Sequence, residues 1–189
     1  MIRIINTLEA HLELIYRWRN SSEVRKWFCF NDIISREDHN RWFSQLLHRN
    51  EKIGWTVLHK DTPIGFIYLQ NINENEKAAT SGYFIGEPEF CGRGVGAAMA
   101  VATIELAFTN TYINSLKGEI IACNSTAVRL ADAIGWKKLQ VLEKRIVRLD
   151  ESHDVIVNSY ERQDWNLFLN LKSNKIIEQS RKLYVISGN

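Results

Sequence analysis

The stretch Glu89–Phe108, EFCGRGVGAAMAVATIELAF, decides how this chain is read. Glycines stand at 92, 94 and 96, and an Ala-rich apolar run follows without a break. Glycine weakens a helix interior, yet three of them gather where this helix has to begin. Two readings are open. The glycines can simply shape a tight strand-to-helix turn. Alternatively, they allow φ > 0 and keep side chains away from a ligand. The first-turn N–H groups, unpaired within the helix, then lie at the positive end of its dipole. That arrangement makes a site for a diphosphate, with Arg93 adding a cation at the rim. A Walker loop is excluded because no Lys-Ser/Thr follows the glycines. A dinucleotide fingerprint has a G-x-G-x-x-G spacing and belongs to a first βα unit.

Around this segment the chain alternates between strand-like and helix-like runs. MIRIIN reads as a first strand, and Thr7 as the N-cap of a helix over LEAHLELIYRWRN that ends at Ser21-Ser22. EVRKWFCFND is a loop or broken helix. Ser35, with Asp38 three residues on, opens a second helix whose apolar face is Trp42, Phe43, Leu46 and Leu47. KIGWTVLHKDTPIGFIYLQNI gives two strands around a turn at Lys60–Pro63, and ATSGYFIG gives a third. The glycine segment leads into a helix ending near Asn110. SLKGEIIAC is a strand. Asn124 or Ser125 caps STAVRLADAI, which Gly135 ends. Two strands flank a turn at Asp150–Asp154, and DWNLFLNLKSNKIIEQSRKLYVI reads as a closing helix plus tail. The order β-α-α-β-β-β-α-β-α-β-β-α predicts one α/β domain with a mixed sheet of about seven strands.

Length and composition agree. The 189 residues suit one domain, and 45% hydrophobic content supports a sizeable core. A net charge of +2 is too mild to argue for nucleic acid. The start carries charge within three residues, with no signal-like apolar run. The longest apolar stretch, Val95–Ala107, is interrupted by Thr103 and Glu105 and is too short for a membrane span. Cys29, Cys91 and Cys123 form neither a disulfide framework nor a CxxC pair, and His11, His39, His48, His59 and His153 lack ligand spacing. The expectation is a cytoplasmic protein without a metal.

A strand run, then CGRGVG, then a helix resembles the GNAT superfamily of acyl-CoA-dependent N-acyltransferases. That superfamily's signature is [QR]-x-x-G-x-[GA]; Cys91 stands where Gln or Arg is usual. EIIACNSTAVRLADAIGWKKL resembles the family's next strand, Asn, helix and terminal Gly-aromatic pair. HDVIVNSYERQDW resembles the last strand of the RimJ/RimL-type branch. The resemblance implies a GNAT fold over residues 1–165. Residues 166–189 would form a helix and tail packed on the same domain or at a homodimer contact. It implies that acetyl-CoA, or another acyl-CoA, lies between the fourth and fifth strands. The diphosphate would rest on the segment Cys91, Gly92, Arg93, Gly94, Val95, Gly96 and Ala97. The pantetheine would pair with Tyr83, Phe84 and Ile85 and take a hydrogen bond from Asn124.

The N-terminal third, WRNSSEVRKWFCFNDIISREDHNRWFSQL, resembles the PseH-like branch, whose members acetylate nucleotide-linked amino sugars. On that resemblance Arg19, Asn20, Arg25 and Trp27 are acceptor-binding candidates; Asn158, in the last strand, is a further one. Such an acceptor needs cations for phosphates and a flat surface for a base; Arg19, Arg25, Lys26 and Arg36 offer the first, and Trp27, Phe28 and Phe30 the second. The bland alternative puts Trp27 and Phe28 in the core and the arginines on a solvated face. Asn158 faces either the core or the acceptor cleft. Many family members carry a proton-donating Tyr seven residues after the Asn; here that position is Ala131. Glu119, His39 and Tyr68 are the remaining catalytic candidates, Glu119 or His39 as a base acting through water. A covalent route through Cys91 competes with the diphosphate for the same helix end. Other acceptors stay open: a protein N-terminus, an aminoglycoside or a polyamine. So does a non-catalytic acyl-CoA-binding domain. A cationic acceptor fits poorly with the Arg/Lys-rich stretch Arg17–Arg41.

Overall fold

The computed structural model describes residues 1–48, 52–148 and 151–187. Strand β1 (Ile2–Asn6) is followed by a 3-10 turn (Glu9–His11) and helix α1 (Leu12–Asn20). Thr7 therefore does not cap a helix. It is buried, its hydroxyl lying 3.2 Å from that of Thr56, while His11 Nδ1 accepts the Leu8 N–H. The short helix α2 (Ser22–Arg25) starts on the Ser21 hydroxyl, and α3 (Arg36–Leu47) starts on that of Ser35, as its spacing predicts. The Asp38 carboxylate completes this cap by accepting from the Ser35 hydroxyl at 2.7 Å.

Strands β2 (Lys52–His59), β3 (Thr62–Asn73) and β4 (Ala78–Ile85) form an antiparallel meander. Its first turn is just Lys60-Asp61, both with positive φ, the two-residue form whose twist matches paired strands. Helix α4 (Val95–Asn110) then crosses over, so that β5 (Ser115–Ile121) runs parallel to β4. Helix α5 (Ser125–Ile134) begins on the Asn124 carboxamide and ends at Gly135, where φ is +96°. Strands β6 (Lys137–Arg148) and β7 (Glu151–Glu161) pair as a hairpin, with β7 inserted between β5 and β6. The turn expected at Asp150–Asp154 begins at residue 150, which lies outside the described residues. Ser152 and His153 already belong to the ladder.

The closing segment differs most from the expected single helix and tail. It forms α6 (Arg162–Leu171), α7 (Lys175–Arg181) and a strand, β8 (Tyr184–Ile186), which pairs parallel with β1. The sheet thus has eight strands among the described residues, in the order β6-β7-β5-β4-β3-β2-β1-β8, and is mostly antiparallel. Lys172, left-handed at φ +47°, breaks the helix, and the Asn174 carboxamide starts the next one.

Two cores flank the sheet. Helix α4 is apolar on nearly every face and buried from Ala98 to Phe108 except at Glu105, because the sheet covers one side and α6 and α7 cover the other. The Arg162 guanidinium closes its C-terminal end by donating to the carbonyls of Phe108, Thr111 and Ile113. Across the sheet, α1 and α3 pack Ile15, Trp18, Phe43 and Leu46 against Phe66 and Phe84. Among the described residues no helix is long and apolar enough to cross a membrane.

Candidate active site

The site begins where the sheet opens. β4 and β5 pair only through Ala78–Thr80 and Ser115–Lys117. Beyond these residues the two strands separate, and a cleft of about 990 Å³ runs through the gap, lined from both faces of the sheet.

On one face the cleft meets the start of α4. Gly92 and Gly94 have φ of +75° and +78°, so the turn alone accounts for both. Gly96 differs. It lies inside the helix, and a methyl group there would meet nothing closer than Ile85 Cδ1 at 3.9 Å. Neither backbone strain nor packing within the chain asks for glycine at 96; the missing side chain leaves open space on the cleft wall. The N–H groups of Val95, Gly96 and Ala97 precede the first intrahelical bond, from Ala98 N–H to the Gly94 carbonyl at 3.0 Å. Arg93 and Val95 turn elsewhere, lining a separate hollow of about 170 Å³ beside His59, Phe90 and Leu183. Arg93, expected as a rim cation, is not among the residues that line the cleft.

Tyr83 and Ile85 face the α4 side of β4, whereas Phe84 joins the opposite core. All three line the cleft, as do Cys91 and Asn124. The Asn124 Oδ1 accepts from Ala127 N–H at 3.2 Å, so the carboxamide caps α5 and presents Nδ2 for other use. Asn158 pairs in register with Gly118 and shares a strand face with Tyr160, in the core under α4 and α5. It is 3% exposed and lines the cleft from that core side; of the two orientations open from sequence, the acceptor-side one is not the one observed.

The other face carries Arg19, Trp27, Phe28, Phe30, Tyr68 and Glu119. Tyr68 lies across Gly82, where a methyl group would overlap the phenol. Burial pushes its pKa up to about 12, with Arg19 opposing and Glu119 adding to the rise. The Arg19 guanidinium lies over the Phe28 ring, 3.5 Å from its centroid. Its Nη2 donates to the Phe30 carbonyl at 3.2 Å, while its Nη1 is buried without a hydrogen-bond partner. Burial lowers the Arg19 pKa from its usual value. Trp27 and Phe30, 45% and 60% exposed, form the rim.

Several predicted site residues have other tasks. The Asn20 carboxamide is spent on one backbone: Nδ2 donates to the Ile34 carbonyl at 3.0 Å and Oδ1 accepts from Ile34 N–H at 2.8 Å. It clasps the 26–35 loop to α1 and does not line the cleft. Arg25 does not line the cleft. Arg36 is held by Glu13 through two hydrogen bonds of 2.6 and 3.1 Å. His39 is 2% exposed among Tyr16, Trp42 and Phe43, with Nε2 bonded to the Leu12 carbonyl. Burial lowers its pKa, so it is a neutral packing group in the cleft wall. Ala131 is buried and lines the cleft, placing no hydroxyl there. Ala100, Thr103 and Trp136 also line it, unanticipated from sequence; the first two follow Gly96 at four and seven residues, one helical stripe. Among the described residues no group of three or more His, Cys, Asp or Glu could hold a metal ion.

Comparisons with known proteins agree with this geometry. The family model for the acetyltransferase (GNAT) domain matches residues 2–137. The acetyltransferase PseH of Campylobacter jejuni is 29% identical over 133 residues, covering 69% of this chain and 81% of PseH. The spermidine N-acetyltransferase of Vibrio cholerae, solved with CoA and spermine, superimposes with a TM-score of 0.80 at 17% identity. That match covers 87% of this chain and 98% of the other. A RimL ribosomal L7/L12 alpha-N-protein acetyltransferase, solved with coenzyme A, gives 0.71 at 14% identity, covering 84% and 92%. Both structural likenesses show the shared fold.

Proposed function

The chain belongs to the GNAT acetyltransferase family and is an N-acetyltransferase using acetyl-CoA; from that premise we propose that its acceptor is the amine of a nucleotide-linked amino sugar, acylated in the cytoplasm. One observation carries this reading. The acceptor half of the cleft is walled by the Arg19 guanidinium stacked on Phe28, with its Nη1 unpaired, behind an aromatic rim of Trp27 and Phe30. A buried cation there repels a polyamine and favours phosphate or hydroxyl oxygens, while exposed rings offer a base a stacking surface. Lys26 lies beside Trp27 and pairs with Glu23 at 2.6 Å, a surface pair weak enough for a phosphate to displace. The likeness to PseH points the same way.

On this reading, the open first turn of α4 holds the diphosphate of the coenzyme. The Asn124 Nδ2 and the unpaired side of β4 hold its pantetheine arm. The amine lone pair forms a C–N bond at the thioester carbonyl, the C–S bond breaks, and sulfur leaves with the electron pair. Tyr68, kept protonated by its raised pKa, gives its proton to the sulfur. The nitrogen loses one proton through water to Glu119, which returns it to the phenol. Alignment in the cleft supplies roughly 7–11 kcal/mol of the barrier reduction.

A second reading, acylation of a polyamine, rests on the Glu23, Asp38 and Glu119 carboxylates that also line the cleft. Thiol release from acetyl-CoA, measured against UDP- and dTDP-linked amino sugars and spermidine, separates the two. Turnover confined to the nucleotide sugars is expected; turnover of spermidine alone overturns the proposal.

A further inference from the structure

The sheet is closed twice around the reaction centre, and the second closure is made by side chains. β4 and β5 last pair at Thr80 and Lys117. Had the ladder run on, Gly82 would face Glu119 and Phe84 would face Ile121. At the second of these positions the gap is bridged again. Phe28 and Cys29, consecutive residues of the loop between α2 and α3, reach its two sides. The Phe28 ring meets the Phe84 ring edge-on, with 5.8 Å between centroids. Cys29, half-buried, packs against Ile121, Ile146 and Val155 of β5, β6 and β7. The loop is held in turn from α1, where Arg19 lies over Phe28 and donates to the Phe30 carbonyl, and Asn20 clasps Ile34.

Tyr68, Gly82 and Glu119 stand midway between the two closures, within a frame that spans roughly 13 Å along the strands from Thr80 to Phe84. Tyr68 belongs to the β3–β4 side of the gap and Glu119 to the β5 side, so no ladder hydrogen bond fixes their separation. They are nonetheless close enough for the Glu119 charge to act on the phenol. Backbone pairing bounds the gap at one end of this frame, and the Phe28–Cys29 crossing bounds it at the other.

We propose that Cys29 is a positioning residue: with Phe28 it braces the gap and holds Glu119 at the distance from Tyr68 at which the proton passes between them. It acts through Glu119 and not on the reacting atoms. The proposal rests on the proton path read above and adds no step to it.

Steady-state kinetics of the full chain test this, with acetyl-CoA and the UDP- or dTDP-linked amino sugar that it turns over. Cys29→Gly empties the seat without adding charge. It should lower kcat about tenfold, against about a hundredfold for a misplacement of a full 1 Å, and leave KM for acetyl-CoA unchanged. Cys29→Val refills the seat without a thiol and should restore kcat to within twofold. The distinguishing readout is the cycle with Glu119→Gln. In that background Cys29→Gly should cost less than twofold, because the group it positions is already gone. A covalent brace gives a second measure. Ile121→Cys, oxidised with diamide so that the new thiol bonds to Cys29 and assayed by product mass, should turn over within twofold of its reduced form. Turnover lost on oxidation and regained on reduction would mean that the crossing has to move, and overturns the proposal. Additive losses in the cycle, or a Cys29→Gly kcat within twofold of the parent, overturn it too. Glu119→Gln with undiminished kcat overturns the proton path itself, and turnover of no amino sugar overturns the acceptor reading; the proposal falls with either.

Discussion

The Tyr68 phenol occupies the space that any side chain at position 82 would fill. The two residues are register partners on β3 and β4, beside the point where β4 leaves β5. A glycine on one strand thus places a hydroxyl of the other at the apex of the cleft, on a chain whose position 131 has none to offer. Tyr68→Phe should lower kcat by about 10²-fold, the usual effect of losing a positioned proton donor, with little change in KM for acetyl-CoA. Because burial holds this phenol near 12, kcat should show no alkaline limb from it below about pH 11. Steady-state kinetics over pH 7–10 check both; a kcat within twofold of the parent removes Tyr68 from the mechanism.

Arg19 should govern the acceptor and not the coenzyme. Arg19→Met keeps a long apolar side chain beside Phe28 but removes the stacked guanidinium with its charge and unpaired nitrogen, so KM for the nucleotide sugar should rise at least tenfold while KM for acetyl-CoA holds. Arg19→Lys should fail to restore it, since a compact ammonium cannot stack and reach the cleft together. Equal shifts in both KM values would mean a general structural defect.

Asn20→Ala should behave as a folding mutation. It strands the N–H and carbonyl of Ile34, at a cost of about 1–3 kcal/mol. Urea unfolding should show that loss, with acceptor KM much less affected than by Arg19→Met. A stable variant with a large KM increase would return Asn20 to the acceptor site.

Alkali should destabilise the fold through buried phenols. Burial raises Tyr68, Tyr83 and Tyr160 from 10.0 to about 12, and burial together with Glu105 raises Tyr184. The folded state keeps these protons longer than the unfolded chain. Their contribution is therefore whole below about pH 10 and is lost as pH climbs through about 12. Urea midpoints at pH 8, 9.5 and 11 should fall only over the last interval, and less steeply in Tyr160→Phe.

What the sequence disclosed was local. Caps at Ser35, Asn124 and Gly135 depend on residues within one turn, and structure and expectation agree there. The glycine segment announced a helix entrance for the same reason. Strand β8 was hidden because three residues carry no period, and their partner β1 lies at the other end of the chain. Thr7 misled because its hydroxyl found Thr56, 49 residues away. Asn20 and Arg36 have residue types suited to a polar ligand, but their partners, Ile34 and Glu13, are brought to them only by the packing of α1 against the following loop and α3. The split between β4 and β5 leaves no mark on either strand taken alone, since pairing belongs to neither sequence.

The account turns on the helix entrance at Gly96, where open space has no cause within the chain. Calorimetric titration of CoA into the parent protein and into Gly96→Val tests it most directly. Tight binding by the parent, weakened at least tenfold in a variant that keeps its thermal midpoint, is the predicted result, since the valine displaces a charge-assisted contact. Equal affinity in the two proteins would contradict it and move the coenzyme away from the start of α4.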